Sequence, residues 1–209
     1  MANEIYGNLK GIRNSVIEEL KTFYDIRLEG GQLLTSELAL RMADVTDFIN
    51  REVSVYVARN GQVLAVSVGN DQSVELPPVE GRRGASRLSG VRCVHTHPNG
   101  NPLLSGVDIS ALKNNRFDAM IAVGVTSPDI SQSQMSFGMI TGIDDNEQYQ
   151  VECYGPLTRQ EAEGVLIVKN AQVYVLLLHI KRQLLHLAAA DKECRVRLGA
   201  LLQKAGHNP

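Results

Sequence analysis

"VHTHPNGNPLLSGVD", Val94–Asp108, decides how the chain folds, because three kinds of local structure meet in it. Its first residues continue "VRCVHTH", Val91–His97, which reads as a buried strand. Pro98 ends that strand, while Gly100 and Pro102 make the loop turn. Ser105 then has the position of an N-cap for a helix over "SGVDISALKNN". Strand side chains alternate, so His95 and His97 share a face. Asp108 falls in the first helical turn, where the helix dipole favours an ionised carboxylate.

Working outward, two helices open the chain. Val16, Ile17, Leu20 and Phe23 recur at helical spacing from Ser15 to about Tyr24. Leu38, Met42, Val45 and Ile49 do so from Ser36 to about Asn50. "EVSVYVAR" and "QVLAVSVG" are β-branched runs separated by Asn60-Gly61, which predicts a hairpin with a type I′ turn. "SVELP", Ser73–Pro77, is a further short strand candidate. "VEGRRGASRLSG" reads as an exposed loop whose Arg82, Arg83 and Arg87, with Arg92, could steer an anionic partner. "DAMIAVGVT", "SQMSFGMIT" and "YQVECYG" read as strands. Strands interleaved with helices predict an α/β fold, a sheet covered on both faces.

Composition changes near Pro156. "TRQE", Thr158–Glu161, has the form of a capping box, and the chain from there to about Lys204 is rich in Leu, Ala, Lys, Gln and Arg. The expected organisation is a domain over 1–155, including the two N-terminal helices, and a helical segment over 156–209. That segment is apolar enough to pack on the domain or form a homodimer. His179 and His186 share a helical face in it and suit an interface better than a metal; His207 lies in a terminal tail.

Lys and Arg number 21 against 23 Asp and Glu, a net charge of −2, so neither DNA nor RNA binding is implied. The polar start "MANEIYGNLKGIRNS" lacks the apolar core of a signal peptide, and "VYVLLLHI" is stopped by Lys181 and Arg182. Both features predict a cytoplasmic protein with no membrane span. Cys93, Cys153 and Cys194 are scattered, without a C-x-x-C pair, and are expected to be small, partly buried hydrophobes.

A catalytic zinc ion takes three protein ligands and leaves a fourth position for water. His95, His97 and Asp108 can supply the three. Such chemistry also needs a carboxylate to accept the water's proton and pass it to a leaving amine. Glu52, at the start of the first hairpin strand and opposite in parity to Val53, Val55 and Val57, is the candidate; Glu75 and Glu80 are rivals if the hairpin faces the other way. Ser105-x-x-Asp108 is equally a good helix start without any metal.

The run H-x-H-x7-S-x-x-D, from His95 through His97 and Ser105 to Asp108, with Glu52 upstream, resembles the motif of the JAMM (MPN-plus) metalloprotease family. The resemblance implies a cytidine-deaminase-like mixed sheet flanked by helices, and a zinc-dependent peptidase or isopeptidase acting on a protein or peptide. It implies His95, His97 and Asp108 as zinc ligands, Glu52 as base and then acid, and Ser105 as the residue that binds the oxyanion or positions the water.

A longer stretch is similar to the N-terminal extension of long-form HflX-type GTPases, which associate with ribosomes. It runs from "IYGNLKGIR" through "SELALRMADVTDFINREVSVYVARNGQVLAVSVG" to "SGVRCVHTHPNGNPLLSGVDISALKNNRFDAMIAVGV", about Ile5–Val125. The chain has no G-x-x-x-x-G-K-[ST] phosphate loop, so the GTPase itself has no counterpart. Those extensions commonly carry glutamine in place of Glu52 and lack the proline after the second histidine. By that comparison this chain looks nearer to an active protease. The alternative reading that follows is a binding module recognising a ribosomal or protein partner without catalysis; a hydrolase of some other amide is a third.

Overall fold

The computed structural model describes residues 3–29, 32–74, 77, 88, 90–144, 148–158 and 161. Its elements run β1 (Ile5–Gly7), α1 (Asn14–Lys21), a 3-10 turn (Thr22–Asp25), α2 (Ser36–Ile49), β2 (Val53–Ala58), β3 (Val63–Val68), β4 (Val91–His97), α3 (Gly106–Asn115), β5 (Ala119–Gly124), a 3-10 turn (Ile130–Gln132), β6 (Gln134–Ile143) and β7 (Tyr149–Leu157). The fold is mixed α/β. A seven-stranded sheet in the order β1-β3-β2-β4-β5-β6-β7 carries parallel pairs β1/β3 and β4/β5 among antiparallel neighbours.

The helix boundaries follow from caps. Thr35 accepts a hydrogen bond from the Leu38 amide at the start of α2, and Asn50 closes it in the left-handed region at φ 51°. The first helix is shorter than its periodicity predicts. After Lys21 the chain tightens into the 3-10 turn, which still buries Phe23.

The hairpin forms as predicted, with a different turn. Of Asn60 and Gly61 only Gly61 has positive φ (83°), so the connection is not type I′, which needs both residues there. The Gly61 amide donates to the Ala58 carbonyl and the Ala58 amide to the Gln62 carbonyl, the pattern of a three-residue loop closed by a left-handed glycine. The "SVELP" strand does not form over Ser73, Val74 or Pro77; Glu75 and Leu76 lie outside the described residues. The short parallel strand β1 is an addition that its three residues were too few to announce by pattern.

β4 and β5 are buried along their whole length, as expected of central strands covered on both faces. On one face, α2 packs over β2 and β4. The Thr46 and Thr96 hydroxyls meet there at 2.6 Å, and Thr96 also accepts the Val53 amide at 2.9 Å. On the other, α3 packs over β5, β6 and β7, and Leu112 joins Tyr56, Cys93, Phe117 and Met120 in a core cluster. Tyr56 and Phe117 meet edge to face with ring centroids 5.3 Å apart.

Two surface expectations are corrected. Arg92 is not part of an exposed loop: it lies buried within β4, donates to the carbonyls of Gln32 and Ala58, and is pushed down to about 10 by burial. It ties the segment after the first 3-10 turn to the sheet. Cys153, expected to be partly buried, is exposed, whereas Cys93 is buried in the core. Arg82, Arg83, Arg87, Glu75, Glu80, Cys194, His179, His186 and His207 lie outside the described residues. The expected helical segment over 156–209 is described only at Pro156 and Leu157, which end β7 rather than begin a helix, and at Thr158 and Glu161. The last two make the reciprocal bonds of the capping box: Thr158 N to Glu161 Oε2 at 2.7 Å and Glu161 N to Thr158 Oγ1 at 3.3 Å. Among the described residues no helix is long and apolar enough to cross a membrane.

Candidate metal centre

Burying a polar side chain is costly unless it finds a partner, and β4 is buried along its whole length. In β4, Arg92 and Thr96 find partners on the α2 face. His95 and His97 point to the opposite face and meet each other instead, with their Nε2 atoms 3.0 Å apart. Asp108 reaches them from the first turn of α3, placing Oδ1 3.2 Å from His95 Nε2 and Oδ2 3.8 Å from His97 Nε2.

Those spacings suit a metal. Bonds of about 2.0–2.1 Å in tetrahedral geometry separate neighbouring ligand atoms by about 3.3 Å, and the three observed distances bracket that value. His95, His97 and Asp108 are the described residues that form such a group. The loop orients one ligand further: His97 Nδ1 lies 2.8 Å from the Asn101 carbonyl, to which it can donate, leaving the Nε2 lone pair free. Burial and the neighbouring His95 lower the His97 pKa, favouring the neutral imidazole that ligation requires. Among the described residues His95 Nδ1 is buried without a partner, and the Nε2 side carries that ring's polar contacts.

Asp108 serves two ends at once. Its Oδ2 accepts from the Ser105 amide at 2.7 Å and the Ser105 hydroxyl at 2.6 Å, while the Asp108 amide donates to Ser105 Oγ at 3.1 Å. Its Oδ1 remains directed at His95. Capping and ligand geometry therefore coexist, and the helix start fixes the carboxylate. Burial alone would raise its pKa; the hydrogen bonds and charge of His95, with the bonds from Ser105, hold it well below the usual carboxylate range.

Glu52 comes to the same face. Ser54 pairs with His95 in the antiparallel register, and continuing that register two residues along each strand brings Glu52 level with His97. Its backbone extends the hairpin ladder, donating to the Asn70 carbonyl at 2.7 Å and accepting from the Gly69 amide at 2.8 Å. The residue is 6% exposed, and its side chain lines the same cavity as the histidines. Burial pushes its pKa up to about 7, His95 pulls it down, and Asp108 and Asp71 push it up.

These groups line one cavity of about 340 Å³, shared by Glu52, His95, His97, Ser105 and Asp108. Sequence reading missed two contributors to it. The turn at Asn70 brings Gln72, Ser73 and Val74 to its wall, with the Asn70 side chain accepting the Gln72 and Ser73 amides at 2.8 Å. Gly124, paired with His97 across β4 and β5, lets the loop close: a Cβ there would sit against the Gly100 carbonyl oxygen, 2.6 Å from Pro102 N and 2.7 Å from the Asn101 carbonyl carbon. Asn70 and Gly124 resemble ordinary turn and strand-end residues until the pairing is known.

No family model matches the chain, and no curated protein or solved structure matches it either. The likeness to JAMM proteases and to HflX extensions therefore rests on the residues quoted above.

Proposed function

We propose that the protein is a zinc-dependent hydrolase of JAMM type that cleaves a peptide or isopeptide bond. The observation that carries this reading is the convergence of two imidazoles and a carboxylate in a cavity that Glu52 also lines. Two nitrogens and one oxygen at these spacings, with the cavity on their open side, match the donor set of a catalytic rather than a closed structural zinc site.

His95, His97 and Asp108 would hold the ion. When bound, zinc supplies Lewis acidity, polarising a carbonyl and acidifying water. Glu52 takes the proton of the attacking water and passes it to the departing nitrogen, acting as general base and then general acid. Ser105 holds Asp108 in place, and its hydroxyl would have to leave Oδ2 to serve the oxyanion or the water as the resemblance implies. The protein would be cytoplasmic and act on a protein or peptide partner.

The test is zinc content together with peptide-bond hydrolysis by the purified full chain and its Glu52→Gln variant. About one zinc per chain in both, with turnover only in the wild type, supports the proposal. Absence of zinc after reconstitution refutes it.

A further inference from the structure

Two of the large apolar side chains that the described surface exposes stand at the mouth of this cavity: Leu103, 52% exposed, and Val107, 76% exposed. Leu103 is held there by design of the loop. Its amide donates to Asn101 Oδ1 at 3.0 Å, while the adjacent Leu104 turns inward and packs against the core cluster over Gly138. Val107 lies in the first turn of α3, beside the ligand Asp108. Ala111 and Met120 also line the cavity, adding apolar surface to that of the rim.

Placement in the sheet gives this apolar surface a direction. Glu52 leads into β2, which pairs with one side of β4; the loop carrying Leu103 closes over Gly124 of β5, which pairs with the other side. Glu52 and the apolar wall thus flank the histidine pair from opposite sides. A base that hands its proton to the leaving nitrogen stands beside the amine half of the scissile amide, so the acyl half extends toward Leu103 and Val107.

We propose that Leu103 and Val107 form a subsite for an apolar side chain on the residue that contributes the scissile carbonyl. This rests on the reading of the centre as a zinc amide hydrolase with Glu52 as base. The substrate class is then a peptide or isopeptide whose acyl residue is leucine-like, and a glycine there leaves the wall bare. Area removed from water drives such selection, which for a leucine side chain corresponds to about tenfold to a hundredfold in affinity.

Two uncharged zinc-chelating probes separate the possibilities: N-acetyl-leucine hydroxamate and N-acetyl-glycine hydroxamate, titrated calorimetrically into the zinc-reconstituted full chain. The expected result is that the leucine probe binds at least about tenfold more tightly, and that Leu103→Asn or Val107→Asn brings the ratio of the two affinities towards one. Both substitutions are at exposed positions, and the wild-type ratio is decisive even without them. Equal binding of both probes to a zinc-loaded protein overturns the subsite and leaves the metal centre standing. Failure to take up zinc or bind either probe overturns the metal centre and the subsite together.

Discussion

His95 Nε2 lies 3.2 Å from Asp108 Oδ1, although one belongs to the central strand β4 and the other to the first turn of α3. The contact exists because the loop between them is folded down onto β5 and because Ser105 fixes the Asp108 carboxylate from behind. Strand, loop and cap together hold the three side chains in one group, and preorganisation of that kind would favour binding of the proposed metal.

Asp108→Ala therefore removes a proposed ligand and half of a capping box. Zinc affinity falls by more than about a hundredfold, the upper range for loss of a supporting residue alone. Asp108→Asn retains a side chain able to cap and loses most of the affinity as well. Competition with a zinc-binding dye reads both; wild-type affinity in either variant would exclude Asp108 as a ligand.

Glu52→Gln preserves shape and removes the proton carrier. Hydrolysis drops by about 10²–10⁴-fold with zinc stoichiometry retained, as loss of general acid–base catalysis predicts. Stopped assays on inductively coupled plasma-verified samples measure the two quantities side by side. Turnover that survives in a preparation free of contaminating protease would transfer the base role to another carboxylate.

The same glutamate makes the metal-free fold pH-dependent. Its carboxyl is raised from 4.5 to about 7 in the folded chain, so the folded state binds the proton more tightly than the unfolded state. Stability from this group is complete below about pH 4.5 and is lost as pH rises through about 7. In Glu52→Gln that loss disappears, and the metal-free variant is more stable than wild type at pH 8 by roughly 1–3 kcal/mol. Urea melts of both proteins in chelator at pH 5 and pH 8 give the difference; a gap that narrows at high pH contradicts the assignment.

Gly124→Ala alters no ligand and leaves φ in an ordinary region, yet its methyl displaces the Gly100–Pro102 backbone and with it the carbonyl that orients His97. Zinc binding weakens about tenfold to a hundredfold, the range found when a ligand loses its orienting partner. The visible spectrum of the cobalt-substituted protein should shift as well. An unchanged affinity and spectrum would mean that the loop accommodates the methyl without moving.

Thr96→Val tests the division of β4 between its two faces. The Val53 amide loses its buried acceptor and Thr46 its partner, at a cost of about 1–3 kcal/mol. Zinc affinity stays at the wild-type level because the even-numbered residues of β4 face α2. A large loss of zinc in a folded variant would show coupling between the faces.

Much of this was legible in the chain itself. Alternation in "VRCVHTH" put His95 and His97 on one face, and Ser105-x-x-Asp108 announced the helix start that carries the third residue of the group. β-branched runs around Asn60-Gly61 announced the hairpin, although the turn formed a longer loop because only the glycine went to positive φ. Arg92 shows the opposite case: next to a Gly- and Ser-rich stretch it reads as loop charge, and only the pairing of β4 with β2 and β5 buries it.

Local chemistry, then, was determined by sequence: periodicity, caps and turn residues act over a few positions and need no distant partner. Parity could place Glu52 opposite Val53, Val55 and Val57, yet not say which face holds the histidines. That was decided by the register Ser54 to His95, which puts Glu52 on the histidine face and at the wall of their cavity. The approach of the loop to Gly124 is tertiary in the same way. Strand pairing and desolvation join residues far apart in the chain, and their energies depend on which surfaces meet.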